Sequence, residues 1–258
     1  MEEYLEFAKR IARHAGEVIK DYFYKDQQIE YKEDRTPVTI ADKEINAYLI
    51  EEVKKTYQGF KVIGEELSLD NDSEYDWVFD PIDGTSMFTR HIPVSVFSLA
   101  LVHDGEPVVA VVYDPFLDEM YTAIKGKGAY CNDKKISVNN KKYGEMGCNV
   151  DYCMWSSAKY DTLEIVKEIR ENVKTCSLGS VAHACMMVAN GKVSAEIFPG
   201  TSHGECDIAA SKLIVEEAGG VTSNFHGENQ RYDRAIDGFV ASNKEIHDEL
   251  IMRLRRLY

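Results

Sequence analysis

The sequence predicts a layered α/β (α+β) fold with two pseudo-domains and a cleft between them. Two observations lead to this prediction. Helix-type and strand-type apolar patterns both occur along the 258 residues, and the strand-type runs have helices on both sides. The chain is also long enough for one large domain or two small ones with a sizeable core. We place the division between an N-terminal half (1–140) and a C-terminal half (141–258).

The first third of the chain predicts two helices, each followed by β-structure. Apolar residues recur at intervals of three and four over 5–19, which is typical of an amphipathic helix. A second helix is expected to begin near Thr39, because Thr39 and Asp42 form a capping-box pattern. The stretch FKVIGEE (60–66) predicts a short buried strand that ends in a turn. The stretch DWVFDPIDGT (76–85) repeats that order, a strand followed by a polar turn.

The rest of the chain divides into a strand-rich part and an alternating part. Residues 93–132 predict a meander, with a hairpin at Asp104-Gly105. The alternating part predicts strands near 148–152, 194–198 and 238–242, and helices over 161–171, 181–191, 207–218 and at the C-terminus.

Composition restricts the partners and the compartment. The net charge is −14, from 44 acidic and 30 basic residues, and such an excess repels nucleic acids and anionic lipid surfaces. No stretch approaches membrane-spanning length. The six cysteines are scattered without a C-x-x-C pair, which argues against zinc ligation or a disulfide framework. We therefore expect a cytoplasmic protein with reduced thiols and no nucleic-acid or membrane partner.

The segment WVFDPIDGTSMF (77–88) places two acids three residues apart at the end of an apolar run. Carboxylates held close together repel, so Asp80 and Asp83 stay ionised only if something positive lies between them. On this ground alone a metal ion, an arginine pair and water all remain open.

Further acids stand at comparable places along the chain. Oxygen ligands without histidine favour Mg²⁺ or Mn²⁺ over zinc. If they converge, four of these acids can hold two ions about 4 Å apart, the spacing of a two-metal clamp. These four are Glu65, Asp80, Asp83 and Asp207.

Each acid also has a structural explanation when it is taken alone. Asp207 is a reasonable helix N-cap, Asp42 completes a capping box, and Glu65 belongs to a solvated turn. The DPIDGT turn is harder to explain this way, because a turn needs only one of its two acids. The chain also has no G-x-x-x-x-G-K-[ST] loop, so an ordinary nucleoside-triphosphate cradle is not expected.

Taken together, the motifs resemble those of the inositol monophosphatase family, which includes archaeal-type fructose-1,6-bisphosphatases and 3'(2'),5'-bisphosphate nucleotidases. The resemblance extends from the first helix to GFVASN (238–243). It implies a layered α/β/α/β sandwich of the sugar-phosphatase type, two or three Mg²⁺ ions for which Mn²⁺ can substitute, and a homodimer. The motifs, in order, are VTIAD, GEE, DPIDGT, LGSVA, DIAA and EEAGG.

The resemblance also implies roles for individual residues. Asp42, Thr85 and Glu65 would be catalytic, with Asp42 and Thr85 orienting or deprotonating the attacking water. The metal ligands would be Glu65, Asp80, the Ile82 carbonyl, Asp83 and Asp207. The substrate-binding set would comprise Asp83, Gly84, Thr85, Gly179, Ser180, Val181 and Glu196, with Gly84 and Thr85 contacting phosphate through backbone N–H groups.

Departures from the family pattern concern the substrate side. Glu205-Cys206 stands before Asp207, where relatives commonly have tryptophan, and the segment 195–206 is longer than in the animal enzymes. Either Glu196 or Glu205 would be the acid that contacts a polyol.

The sequence predicts hydrolysis of myo-inositol 1-phosphate, fructose 1,6-bisphosphate or both. One alternative is a 3'(2'),5'-bisphosphate nucleotidase, for which Phe198 is the one aromatic near the late loop that suits base stacking. The other is a non-catalytic metal- or phosphate-binding regulatory module. An aspartyl-nucleophile phosphatase needs D-x-D spacing, whereas DPIDGT has D-x-x-D.

Overall fold

Two large β-sheets and three layers of helices make up most of the described part of the molecule. The structure, a computed structural model, describes residues 1–25, 27–33, 35–153, 158–201 and 203–257. The helices within these residues are α1 (Glu2–Phe23), α2 (Ile40–Thr56), α3 (Thr85–Phe88), α4 (Leu163–Arg170), α5 (Val181–Ala189), α6 (Gly204–Glu217) and α7 (His247–Leu254).

The larger sheet has seven strands in chain order and is antiparallel except for the first pair, which is parallel. Its strands are β3 (Lys61–Gly64), β4 (Tyr75–Asp83), β5 (Val96–His103), β6 (Glu106–Asp114), β7 (Glu119–Ile124), β8 (Ala129–Cys131) and β9 (Lys134–Lys135). A separate two-stranded ribbon precedes it, made of β1 (Glu30–Tyr31) and β2 (Pro37–Val38).

The smaller sheet has five strands in the order β11-β10-β12-β14-β13. The first three strands of that order are parallel, and the last two pair antiparallel. Its strands are β10 (Asn149–Tyr152), β11 (Lys174–Cys176), β12 (Ala195–Phe198), β13 (Val221–Ser223) and β14 (Phe239–Ser242).

Three apolar cores hold these layers together. The first packs α1 and α2 against one face of the larger sheet, where Trp77 and Phe79 point. The second lies between the two sheets and contains α5 and α6, with Val78 from the opposite face of β4. The third packs α4 and α7 on the outer face of the smaller sheet. Because both faces of the larger sheet are covered, its central strands β5 and β6 are apolar along nearly their whole length. The layered sandwich expected from the sequence is confirmed.

Most of the predicted elements are present, including the capping box at the start of α2 and the hairpin between β5 and β6. Asp104 and Gly105 both have positive φ (50° and 78°), as a two-residue hairpin turn requires. Five strands were not predicted, namely β1, β2, β9, β11 and β13. Each has only two or three residues, which is too short for an alternating pattern to be recognised.

Two boundaries near the acids differ from the sequence prediction. α6 begins at Gly204, so Asp207 lies inside its first turn and is not the N-cap, a position that His203 occupies. β4 does not stop at Asp80 but continues to Asp83 through a register shift. Asp80 pairs with Ser98 and Asp83 with Val96, which leaves one extra residue on β4. Such a bulge accommodates Pro81, which has no N–H to donate to the ladder.

The close approach of α1 to β6 gives a first prediction. A Cβ on Gly16 would lie 2.3 Å from Cε1 of the buried Tyr113 ring. We expect Gly16→Ala to lower the free energy of unfolding by about 1–3 kcal/mol through overpacking, although alanine is the better helix former. Urea unfolding followed by circular dichroism measures this change. Lys20→Ala, at an exposed position of the same helix, is the control and should change stability little. A stabilised Gly16→Ala protein would contradict the packing described here.

Candidate active site

The acidic residues meet at a cleft of about 420 Å³. The ends of β3 and β4, the short helix α3 and the first turns of α5 and α6 all contribute to it. β3 and β4 are parallel neighbours, so the acids that follow or end them lie at one edge of the sheet. The residues that line the cleft are Lys32, Glu33, Thr36, Pro37, Glu65, Asp80, Asp83, Gly84, Thr85, Ser86, Val181, Thr201, His203 and Asp207.

Three aspartates form the centre of the site. Asp80 and Asp83 stand on either side of the β4 bulge, and Asp207 reaches them from the first turn of α6. One carboxylate oxygen from each lies within 4.8 Å of the others. Asp80 and Asp83 are almost fully buried, while Asp207 is partly exposed. The structure therefore brings together three acids that are separated by up to 127 positions in the sequence.

Burial and mutual repulsion both act against ionisation of this cluster. Burial raises the pKa of Asp80 and of Asp207 well above the ordinary range, and the charges of neighbouring acids raise them further. Asp83 is less affected: burial raises its pKa to about 6, but hydrogen bonds from Ser180 and Ala182 oppose the rise. A cation placed among the three carboxylates would favour the charged form of each.

The loop before α5 supports Asp83 directly. The Ser180 hydroxyl donates to Asp83 Oδ2 at 2.8 Å, and the Ala182 backbone N–H donates to the same oxygen. Ser180 also caps α5 by accepting from the His183 N–H. Gly84 permits this close approach, because its φ is 88° and a Cβ there would lie 2.9 Å from Ser180 Cβ. Only glycine fits such a position without strain.

The backbone of the bulge is also fixed by side chains. The Ile82 N–H donates to Asp80 Oδ1 at 2.8 Å, which orients that carboxylate. The Ile82 carbonyl accepts from the Thr85 hydroxyl, also at 2.8 Å. Ile82 and Thr85 were both assigned to the site from sequence, and the structure makes them direct partners.

Asp42 is held at the start of α2 by its capping box. Its Oδ2 accepts from the Thr39 N–H at 2.8 Å and from the Thr39 hydroxyl at 2.5 Å. The other oxygen, Oδ1, is buried and has no partner among the described residues. Burial raises the pKa of Asp42 to about 7, and the charge of Glu65 adds to this effect. The capping interpretation is thus correct. Asp42 is fully buried and is not among the described residues that line the cleft, and its Oδ1 is left without a hydrogen-bond partner there.

Lys32 is a site residue that the sequence analysis did not identify. It follows β1, and its Nζ lies 2.7 Å from a carboxylate oxygen of Glu65 and 2.7 Å from one of Glu66. The two acids raise the pKa of Lys32 despite the opposing effect of burial. No motif marks this lysine, because the contact joins residues 33 positions apart through a two-stranded ribbon too short to predict.

The remaining predicted residues lie at different depths. Val181 lines the cleft, and Gly179 directs its carbonyl toward Gly84. Glu196 is fully buried on β12, and neither it nor Glu205 is among the described residues that line the cleft. His203 and Thr201 line it instead, from the segment that sequence analysis associated with the substrate side.

The donor set suits a hard divalent cation. Asp80, Asp83, Asp207, Glu65 and the Ile82 carbonyl offer only oxygen, which Mg²⁺ and Mn²⁺ prefer. A bound cation would neutralise the three mutually repelling aspartates. A water on that cation would give the buried Asp42 Oδ1 a hydrogen-bond partner.

Comparisons with known proteins agree with this arrangement. The sequence profile of the inositol monophosphatase family matches residues 1–257. The chain is 34% identical over 269 residues to a fructose-1,6-bisphosphatase/inositol-1-monophosphatase of Aquifex aeolicus, covering 100% of this chain and 97% of that protein. It is 34% identical over 236 residues to Nus factor SuhB of Pasteurella multocida, covering 88% and 87%. The structure of the Thermotoga maritima IMPase TM1415 superposes with a TM-score of 0.88 at 27% identity, covering 99% and 98% of the two chains.

The hydrogen bond from Ser180 to Asp83 gives a second prediction. Ser180→Ala should weaken Mg²⁺ binding about 10- to 100-fold, because it removes a donor that orients a ligand carboxylate. It should also cost about 1 kcal/mol of stability as a lost helix cap. Isothermal titration with Mg²⁺ and urea unfolding measure the two effects. Ser211→Ala is the matched control, since Ser211 is buried and its hydroxyl has no partner among the described residues. Equal Mg²⁺ affinity in both variants would refute this role for Ser180.

Proposed function

The chain belongs to the inositol monophosphatase family, and from this premise we propose that it is a Mg²⁺-dependent phosphomonoesterase of small sugar or polyol phosphates. The expected substrates are myo-inositol 1-phosphate, fructose 1,6-bisphosphate or both. One observation carries the proposal: the carboxylates of Asp80, Asp83 and Asp207 converge in a cleft that Gly84 and Thr85 also line. Membership of the family and the relative from Aquifex aeolicus identify the general activity as that of a phosphoric monoester hydrolase.

Glu65, Asp80, the Ile82 carbonyl, Asp83 and Asp207 would hold two or three Mg²⁺ ions, for which Mn²⁺ can substitute. When bound, such ions lower the pKa of a coordinated water and stabilise charge on the leaving oxygen. This all-oxygen donor set supports the choice of metal.

The residues of the chain have separate tasks around the phosphate. Asp42, with Glu65 and Thr85, would orient the attacking water and take its proton. The free Asp42 Oδ1 supports this role, and so does its pKa of about 7, which is close to the optimum for a general base at neutral pH. Thr39 would fix the orientation of that carboxylate through its two hydrogen bonds.

The phosphate itself would bind where α3 begins. Gly84 and Thr85 line the cleft, and their N–H groups would donate to phosphate oxygens. We propose that Gly179, Ser180 and Val181 shape the opposite wall, with Ser180 acting on Asp83 from behind. No protein nucleophile is needed in this scheme, since water attacks phosphorus.

Two alternative functions remain from the sequence, a nucleotidase and a regulatory module, and different observations bear on each. The nucleotidase alternative depends on Phe198 for base stacking, but Phe198 is fully buried in β12. The regulatory-module alternative has a relative named Nus factor SuhB in its favour. Turnover in the presence of Mg²⁺ separates that alternative from the enzyme proposed here.

We further propose that the protein is cytoplasmic and that it forms a homodimer, the latter because the family resemblance implies it. The six cysteines all lie within the described residues and all are free thiols, which is typical of a reducing compartment. No helix among the described residues has both the length and the apolar character needed to cross a membrane.

The proposed reaction gives a third prediction. The protein should release phosphate from inositol 1-phosphate or fructose 1,6-bisphosphate with Mg²⁺, and from neither after treatment with a chelator. Asp83→Asn should reduce kcat/KM at least about 100-fold, because it weakens a ligand carboxylate at the centre of the site. A phosphate-release assay over both substrates and 3'-phosphoadenosine 5'-phosphate measures this.

Asp114→Asn is the control for the loss of a buried carboxylate. Asp114 is buried outside the lining of the cleft, and its Oδ1 accepts from the backbone of Phe116 and Leu117, which asparagine can also do. This variant should keep most of the activity. Undiminished turnover in Asp83→Asn, or Mg²⁺ binding without turnover of any substrate, would refute the proposal.

The Thr85 hydroxyl gives a fourth prediction. Thr85→Val keeps the shape of the side chain but removes the donor to the Ile82 carbonyl. Since water orientation is typically worth about 10²–10⁴-fold, kcat should fall by at least about 100-fold while KM changes little. Thr85→Ser keeps the hydroxyl and should remain within about tenfold of the parent. Steady-state kinetics decide this, and a fast Thr85→Val enzyme would remove Thr85 from the catalytic set.

A further inference from the structure

A second group of metal-ligating side chains lies in the smaller sheet, away from the cleft. Asp151 on β10 and Glu196 on β12 are direct cross-strand partners, so their side chains leave the same face of the sheet. Cys153 stands two residues after Asp151, and its N–H continues the ladder by donating to the Ile197 carbonyl at 3.1 Å. Residues two apart on an extended chain point to one side. Two carboxylates and one thiol, all of them possible metal ligands, therefore lie on one face of the sheet.

These three side chains lie close together and are almost completely buried. One ligand atom of each, two carboxylate oxygens and the thiol sulfur, lies within 4.8 Å of the others. Their exposed fractions are 0% for Asp151, 1% for Cys153 and 0% for Glu196. None of the three lines the cleft.

An independent observation indicates that the group lacks a ligand. Both carboxylate oxygens of Glu196 and Oδ1 of Asp151 are buried without a hydrogen-bond partner among the described residues. Only Oδ2 of Asp151 is satisfied, by the Leu178 N–H at 3.0 Å. No lysine or arginine of the described residues forms an ion pair with either acid. Buried carboxylates in this condition are unfavourable unless a cation or a proton joins them.

We propose that Asp151, Cys153 and Glu196 form a second metal site, for a divalent transition metal of the Zn²⁺ class. A thiolate beside two carboxylates selects a borderline metal, because Mg²⁺ and Ca²⁺ take oxygen ligands almost exclusively. Ligands in tetrahedral zinc sites lie about 3–4 Å from one another, so the present spacing needs only a small contraction. Three ligand atoms leave one tetrahedral position, which the second oxygen of Glu196 can fill, and a fully buried site of this kind suits a structural ion.

The position of the site suggests what the ion would stabilise. The Leu178 N–H that bonds to Asp151 directly precedes the segment Gly179–Val181, and Ser180 in that segment donates to Asp83. A metal bound to Asp151 would hold β10 against β12 and fix one end of this segment. The site is therefore structural, and its occupancy does not depend on the proposed activity.

The competing explanation is a proton shared between the two carboxyl groups. Burial raises the pKa of both Asp151 and Glu196, and Asp151 raises the pKa of Glu196 further, whereas the side-chain interaction with Glu196 lowers the pKa of Asp151. A proton carried by Glu196 and shared with Asp151 would have this effect. The two explanations differ at Cys153, because only a bound metal makes its sulfur a ligand.

Cobalt substitution tests this difference directly. Full-length protein is produced in medium supplemented with Co²⁺ and dialysed against excess Mg²⁺, which occupies the all-oxygen cleft. We expect about one Co²⁺ per chain by elemental analysis and a thiolate-to-cobalt charge-transfer band in the near ultraviolet. The oxygen donors of the cleft cannot produce such a band.

Three variants assign the band to these residues. Cys153→Ser should remove it, whereas Cys176→Ser should keep it, although Cys176 is the cross-strand partner of Asp151 on β11. Glu196→Gln should lower the retained cobalt at least about tenfold and still fold, because glutamine conserves the shape of the side chain. A parent protein without cobalt or without the band would overturn the proposal in favour of the shared proton. A band that survives Cys153→Ser would also overturn it.

Discussion

The repulsion among Asp80, Asp83 and Asp207 is the constraint on which the rest of the structure depends. Two unit charges 4 Å apart repel by about 4 kcal/mol at an effective dielectric constant of about 20. Three such pairs together rival the 5–15 kcal/mol by which a typical domain is stable. The fold tolerates this cluster because the surrounding elements supply donors, namely the Ile82 N–H to Asp80 and the Ser180–Ala182 segment to Asp83. What remains unsatisfied is the part that a cation would neutralise.

The layered architecture explains how such a cluster is kept in place. β4 is covered on both faces by apolar cores, so its end cannot relax outward when its acids repel. α6 packs between the two sheets and carries Asp207 in its first turn, where the N–H groups of the helix also favour negative charge. The bulge at Pro81 then places Asp80 and Asp83 within reach of the same point. The packing of β4 and α6 therefore holds the three carboxylates in fixed positions.

The sequence was sufficient where the signal is local. The helix start at Thr39, the β5–β6 hairpin and the paired acids of DPIDGT each depend on residues within a few positions of one another. The sequence was insufficient where a contact joins residues that lie far apart along the chain. Lys32 reaches Glu65 from a ribbon of two-residue strands, and no periodicity or motif marks it. Glu196 was assigned to the substrate from its place before Asp207. Only the pairing of β12 with β10 reveals that it is buried against Asp151.

The acids of the cleft and the group at Asp151 differ in solvent exposure and in ligand type, and these differences suit them to different roles. The cleft gathers oxygen donors around an opening of about 420 Å³, with Asp207 partly exposed, so that ions and a phosphate ester can enter and leave. The group at Asp151 adds a sulfur donor and is closed, with Cys153 only 1% exposed. Exchange is required at a catalytic centre and is a disadvantage at a structural one. Open oxygen ligands suit Mg²⁺, which usually keeps several of its waters, whereas a closed site with thiolate suits a metal that stays bound. Carboxylates of the same chain can therefore bind exchangeable catalytic ions in the cleft and a permanently bound structural ion at Asp151.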